Sequence, residues 1–332
     1  FNPRKLVTQQ LWLYLVGQTL MLAFRAAVLR ENFAETGGLL AAWLLPWRHI
    51  WYLYALIFWH LTLPVLCRLR DRLGLAGSCL GMALAVGLAL MLYYAAHKQG
   101  YHVDELYTYE LANYPGGFYA LEDGYMDSWH DGSFYSAVLT PGRLFDYTIP
   151  WNNQKIDVHP PLYYCLIYTA ESLFPQLGLP WVGLLPNFVC ILAGAAVLYC
   201  TAKRLIGRFW PAWTAAACWL LCVGVQGMAV FTRMYSLMML EGIVLLYCHV
   251  VLWQAGQKPL RAVWPGLFAV TMAGALTQYF FLVFCFFVCG LFGVWLLAAR
   301  RFKTAGGYVI AEFAALAAAY AAFPTMKAHI FS

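Results

Sequence analysis

The sequence predicts an all-α fold: a polytopic transmembrane helical bundle with a long, partly helical extracytoplasmic loop after the third span. Three observations carry this expectation. Hydrophobic residues make up 63% of the 332-residue chain and charged residues only 11%, whereas soluble domains carry roughly 25% charged residues. Apolar runs of about 20 residues recur, each long enough for a bilayer core of about 30 Å. The remaining charge is segregated, with nine of the 15 acidic residues in one segment. The pattern excludes a soluble globular enzyme, and it implies no nucleic-acid partner.

Taken in order, the expected spans are 6–28, 50–67, 73–96, 180–202, 209–230, 236–254, 263–278, 280–299 and 304–323, with a shorter apolar piece at 160–174. Thirteen of the 21 Lys and Arg fall in five clusters: Arg4/Lys5, Arg68/Arg70/Arg72, Lys203/Arg204/Arg208, Lys258/Arg261 and Arg300/Arg301/Lys303. The positive-inside rule assigns all five to the cytoplasm. The nine spans alternate correctly only if 160–174 does not cross. That piece covers about 22 Å at 1.5 Å per residue, and it contains Glu171. It is expected to start and end on the outer side, as a re-entrant or surface-lying helix. No internal repeat or low-complexity linker divides the chain. The start at Phe1 and the close on "KAHIFS" suggest a piece of something longer, and no cleavable signal peptide is expected.

Segment 97–158 is the exception to the apolar pattern. Its nine acidic residues are Asp104, Glu105, Glu110, Glu122, Asp123, Asp127, Asp131, Asp146 and Asp157, against Lys98, Arg143 and Lys155, a net charge of −6. Such a segment cannot sit in hydrocarbon. Within it, "DELYTYELANYPGG" has an acidic start, a Leu/Tyr stripe and an Asn-Tyr-Pro-Gly-Gly stop, which predicts a short helix. "DSWHDGSFYSAVL" is a second candidate. The ten cysteines all lie in or at the ends of apolar runs without a C-x-x-C, and are read as packing residues.

Four outer features carry ionisable or hydrogen-bonding groups. Asp104 fits a helix N-cap with Glu105 favourably placed at the dipole; alternatively Asp104 is a general base at the membrane surface. In "KIDVHPPLYY" the two prolines suit a helix start and fix Asp157 and His159 just above it. These are either a stiff solvated turn or a rigid rim presenting His159 to a substrate. In "FTRMYSL", Arg233 either snorkels to lipid headgroups or binds a phosphate, with Tyr235 on a neighbouring face. Gln278 and Tyr279 occupy the next outer turn. Glu171, Glu241 and His249 lie in or beside apolar segments, with no partner assignable from the sequence.

Together, the Asp-Glu pair after a span, the long acidic loop, "HPPLYY" at its end and "RMYSL" further on resemble the family 39 glycosyltransferases of the GT-C superfamily. Protein O-mannosyltransferases and the bacterial aminoarabinose transferases belong to that group. The resemblance covers about Leu75 to Ser332 and is closest to bacterial members. It implies a GT-C type bundle, in which 1–72 adds two N-terminal helices to a catalytic module at 73–332 whose C-terminal part is missing. It implies transfer of a sugar from a polyprenyl-phosphate donor to a protein, lipid or envelope-polymer acceptor, with inversion, at the outer face of a bacterial cell membrane. Carried over by position, Asp104 would be the base and Glu105 its neighbour, supporting acceptor or metal. His159 and the helix after Pro160, Tyr163 included, would shape the donor site. Arg233 and Tyr235 would hold the lipid phosphate, with His159 and Lys155 as secondary cations. A divalent ion on Glu105 or Asp157 is the alternative counter-charge. The competing class is a flippase or transporter of lipid-linked sugars, which would place charged or broken helices at the bilayer midplane.

Overall fold

The computed structural model describes residues 3–27, 38, 43, 51–119, 128–137, 141–178, 181–255 and 262–331. They form helices and connecting turns, and no strand occurs among them. Backbone contacts divide the chain into two units, Phe1–Cys79 and Leu80–Ser332. In the first, helix α1 spans Pro3–Ala27. Gln18 Nε2 donates to the Trp43 carbonyl at 3.3 Å, and Trp43 Nε1 donates to Thr19 Oγ1 at 3.0 Å. Helix α2 runs from Trp51 to Ala96. The loop expected at 68–72 is therefore helical, and the break comes at Gly74, with φ 72° and ψ 169°. A residue without Cβ reaches that conformation at little cost.

In the second unit, α3 (Val103–Asn113), a 3₁₀ turn (Gly132–Ala137), α4 (Thr148–Asn153) and α5 (Leu162–Leu173) precede the longer helices. The first two fall on the segments expected to be helical, although "DSWHDGSFYSAVL" supplies only the 3₁₀ turn. Then follow α6 (Trp181–Ile206), α7 (Phe209–Leu221), α8 (Val223–Ala229), α9 (Tyr235–Gln254), α10 (Val263–Thr277), α11 (Tyr279–Ala298), α12 (Phe302–Ala322) and α13 (Met326–Phe331).

Among the described residues, five helices are long and apolar enough to cross a membrane: Gly74–Ala96, α6, α9, α11 and α12. A sixth is possible if α7 and α8, bent by 57°, form one span. The expected span 209–230 is thus broken. At the break Cys222 is extended (φ −67°, ψ 123°), and buried Gln226, six residues after Leu220, donates its amide to the Leu220 carbonyl left free there. A backbone group exposed by a kink is tolerated at membrane depth when protein satisfies it. The expected span 263–278 is a 15-residue helix, about 22 Å long.

α6 packs against α7 and α9, and α10 packs against α9 and α12. Met91, Leu184, Ile191 and Leu220 centre one apolar cluster; Leu245, Leu252, Leu267, Phe281 and Leu296 centre another. α5 has 12 residues, about 18 Å, too short to cross. It is enclosed by other elements of the protein. Tyr163, Tyr164, Ile167 and Tyr168 are fully buried, and the helix packs against α3, α6 and α10.

The two ends of this unit differ in charge. At one, Arg204 Nε donates to Gln254 Oε1 at 3.1 Å, Gln254 Nε2 donates to the Arg204 carbonyl at 2.8 Å, and Arg301 donates to the Trp253 carbonyl at 3.0 Å. The clusters at 203–208 and 300–303 thus converge. Lys258 and Arg261, like Glu122, Asp123 and Asp127, lie outside the described residues. The opposite end carries Lys98, α3 and the turns before α5 and α9.

Candidate active site

The N-cap of α3 is His102, not Asp104. His102 Nδ1 accepts from the Asp104 N–H at 3.2 Å, and Glu105 Oε2 accepts from the His102 N–H at 3.0 Å, a reciprocal capping box. Asp104 and Glu105 consequently point to different surroundings. Glu105 is 1% exposed. Lys98 Nζ donates to its Oε2 at 2.8 Å and its Oε1 at 3.0 Å, and the Thr232 N–H donates to Oε1 at 2.7 Å. Lys98 also donates to the Val230 carbonyl at 3.0 Å. One carboxylate therefore joins the segment after α2, the start of α3 and the turn before α9. Asn187 adds a bond from Nδ2 to the Phe231 carbonyl at 2.6 Å. That turn is pinned from several sides, which fixes the direction of Arg233.

A second anchor holds the turn before α5. Asn153 Nδ2 donates to the carbonyls of Leu111 at 2.9 Å and Tyr114 at 2.7 Å, tying α4 to the end of α3. Buried Pro160 and Pro161 then lead into α5.

These anchors bring Asp104, Asp157, His159 and Arg233 to one cavity of about 270 Å³, also lined by Tyr107, Leu111 and Phe118. Arg233 is 6% exposed. Its Nη1 donates to the Asp104 carbonyl and to Thr108 Oγ1, each at 3.3 Å, and its Nη2 donates to His159 Nε2 at 3.4 Å. Nε has no hydrogen-bond partner among the described residues. A guanidinium only donates, so His159 Nε2 is the acceptor and the ring proton sits on Nδ1. That nitrogen lies 2.8 Å from Asp157 Oδ2. Gln154, with its amide oriented to donate, reaches Asp157 Oδ2 at 3.1 Å and the His159 carbonyl at 3.0 Å. Burial pushes the Asp157 carboxyl up, but the His159 hydrogen bond and the nearby Arg233 charge outweigh it and hold the group below the usual range. The Asp104 side chain is 39% exposed, with His102 Nδ1 3.6 Å from its Oδ2.

The other sequence candidates lie elsewhere. Lys155 is exposed and donates to Asn152 Oδ1 at 2.8 Å. The Tyr235 ring stacks on Phe231 at 6.2 Å. Tyr163 donates to Asn187 Oδ1 at 2.9 Å and so supports the turn before α9. None of the three, nor Glu105, lines the cavity. The tyrosine beside the guanidinium is Tyr164, whose buried phenol is pushed well above its ordinary range, mainly by desolvation. The doublet Tyr163-Tyr164 was visible in the sequence, but which ring faces Arg233 depends on how α5 is rotated. Tyr107 and Thr108 carried no sequence signal.

His159 also borders a second cavity of about 520 Å³, with Gln278, Tyr279, Leu282, Val283 and His329 among its walls. Tyr279 Oη lies 2.9 Å from His329 Nδ1. Neither Glu105 nor Asp157 belongs to a converging group of three potential metal ligands among the described residues. Of the apolar-segment groups, Glu241 accepts from Thr277 Oγ1 at 2.7 Å.

No family model, curated protein or solved structure matches the chain. The chemistry of the site is therefore argued from its geometry. Arg233 donates to a carbonyl, a hydroxyl and an imidazole, and to no carboxylate among the described residues. Its Nε, without a partner among the described residues, leaves it donor capacity for an anion beyond the charge it shares with Asp157. Asp104 offers a partly exposed carboxylate across the same small space.

Proposed function

We propose that the chain is a membrane glycosyltransferase of the GT-C family 39 type. It moves a sugar from a polyprenyl-phosphate donor to an extracytoplasmic acceptor with inversion at the anomeric carbon. The observation that carries this reading is the single cavity shared by Asp104 and the Arg233–His159–Asp157 chain. The basic clusters at the opposite end of the unit favour an outward-facing cavity by the positive-inside rule.

In this mechanism the Asp104 carboxylate takes the proton of an acceptor hydroxyl or amine as that atom attacks the anomeric carbon. The bond from that carbon to the phosphate oxygen breaks, and its electron pair leaves with the polyprenyl phosphate. Arg233 neutralises the departing charge, which is most effective where water is excluded. Asp157 and Gln154 orient His159, which in turn positions the guanidinium. The larger cavity on the other side of His159, with Leu282 and Val283 in its wall, would receive the first isoprenoid units.

The test is incubation of the purified protein in nanodiscs with labelled polyprenyl-phosphate sugars and cell-envelope acceptors. Release of polyprenyl phosphate with transfer of label is expected. Passage of the intact lipid-linked sugar across vesicles, without cleavage of the sugar–phosphate bond, would instead make the protein a flippase.

A further inference from the structure

α9, α11 and α12 each place one metal-ligating type of side chain in a buried cluster away from the catalytic cavity. His249, Cys289 and Glu312 have donor atoms within 4.8 Å of one another. His249 is 4% exposed and Glu312 8%. His249 Nδ1 lies 2.7 Å from the Leu245 carbonyl, so it carries the ring proton, and Nε2 presents its lone pair to the Tyr308 hydroxyl at 2.7 Å. An imidazole whose far N–H is fixed by a backbone carbonyl is the form that binds metals. Cys289 Sγ lies 3.5 Å from Glu312 Oε1. Cys289, Tyr308 and Glu312 stand in the wall of a largely apolar cavity of about 820 Å³.

We propose that His249 Nε2, Cys289 Sγ and a Glu312 carboxylate oxygen form a zinc site that clamps α9 to α11 and α12. Ligand type favours zinc: thiolate and imidazole suit it, and calcium or magnesium would call for oxygen alone. Charge favours it as well. One thiolate and one carboxylate neutralise a dication, and the imidazole is already neutral, so the complex carries no net charge in a segment where net charge is costly. Zinc–ligand bonds of about 2.0–2.3 Å require the donor atoms to draw together by small side-chain rotations, and the Tyr308 hydroxyl to yield Nε2. Three protein ligands leave a fourth position for a small ligand from the cavity. Cysteine binds the metal as thiolate and glutamate as carboxylate, so any proton either group carries is released on binding. The site does not depend on the glycosyltransferase reading.

The full chain, purified in detergent and stripped with a chelator, is dialysed against zinc or cobalt. We expect one ion per chain and a thiolate-to-cobalt charge-transfer absorption. Cys289→Ser should abolish that band, and His249→Gln and Glu312→Gln should each weaken binding by more than about tenfold. A second measurement needs no variant: zinc should slow alkylation of Cys289 in the wild-type protein while leaving Cys165 unaffected. Absence of the thiolate band, equal metal content in Cys289→Ser, or alkylation of Cys289 indifferent to zinc would each overturn the proposal and mark any bound ion as adventitious.

Discussion

The Asp104 side chain is 39% exposed, with His102 Nδ1 3.6 Å from its Oδ2. Its neighbour Glu105 is 1% exposed and accepts from Lys98, His102 and Thr232. The two should respond oppositely to mutation. Asp104→Asn should slow sugar transfer by about 10²–10⁴-fold and leave the thermal unfolding midpoint unchanged. Glu105→Ala should strand Lys98, whose side chain is 14% exposed, and cost about 3–5 kcal/mol, read as a large fall in that midpoint. Arg233→Ala should weaken donor binding about 10–100-fold, from the loss of charge-assisted hydrogen bonds worth about 1.5–3 kcal/mol each. Asp157 supplies a pH test. Its folded carboxyl is held below the ordinary range, so its contribution is complete above about pH 4 and is lost as pH falls through the lowered value. Unfolding midpoints should therefore show wild type ahead of Asp157→Asn at neutral pH, with the gap closing on strong acidification.

At the scale of elements, the site depends on close approach between α3 and α6. A Cβ on Gly183 would fall on the Tyr109 hydroxyl. Gly183→Ala should push α3 outward, costing about 1–3 kcal/mol through overpacking and reducing transfer without touching a cavity residue; unfolding and turnover assays check both. Much at this scale was legible. The acidic start and Asn-Tyr-Pro-Gly-Gly stop gave α3 within a residue or so, and the proline pair gave the start of α5. What escaped were features set by single side-chain-to-backbone hydrogen bonds, which apolar periodicity does not register. The α7–α8 bend is satisfied by the Gln226 side chain, and the α3 cap is a histidine, a residue with no strong preference for that place. Residues 68–72 read as a loop because arginines cluster there, but a helix can carry them as readily, and only Gly74 has the conformation that breaks it.

At the largest scale, that of the unit Leu80–Ser332, the decisive pattern is polarity from end to end. Basic clusters gather beside Gln254 and Trp253, whereas Lys98, Asp104, His159 and Arg233 meet at the other end. Counting spans could suggest that the outer features share a side. It could not show that the Glu105 carboxylate ties Lys98 and the start of α3 to a turn more than a hundred residues further on, nor that Lys155 and Tyr235 stand outside the cavity. The most direct measurement sets donor binding beside turnover, using purified wild-type and Asp104→Asn protein with a polyprenyl-phosphate sugar. The proposed mechanism predicts that the variant binds the donor as tightly as wild type and fails to transfer the sugar; transfer at the wild-type rate would contradict it.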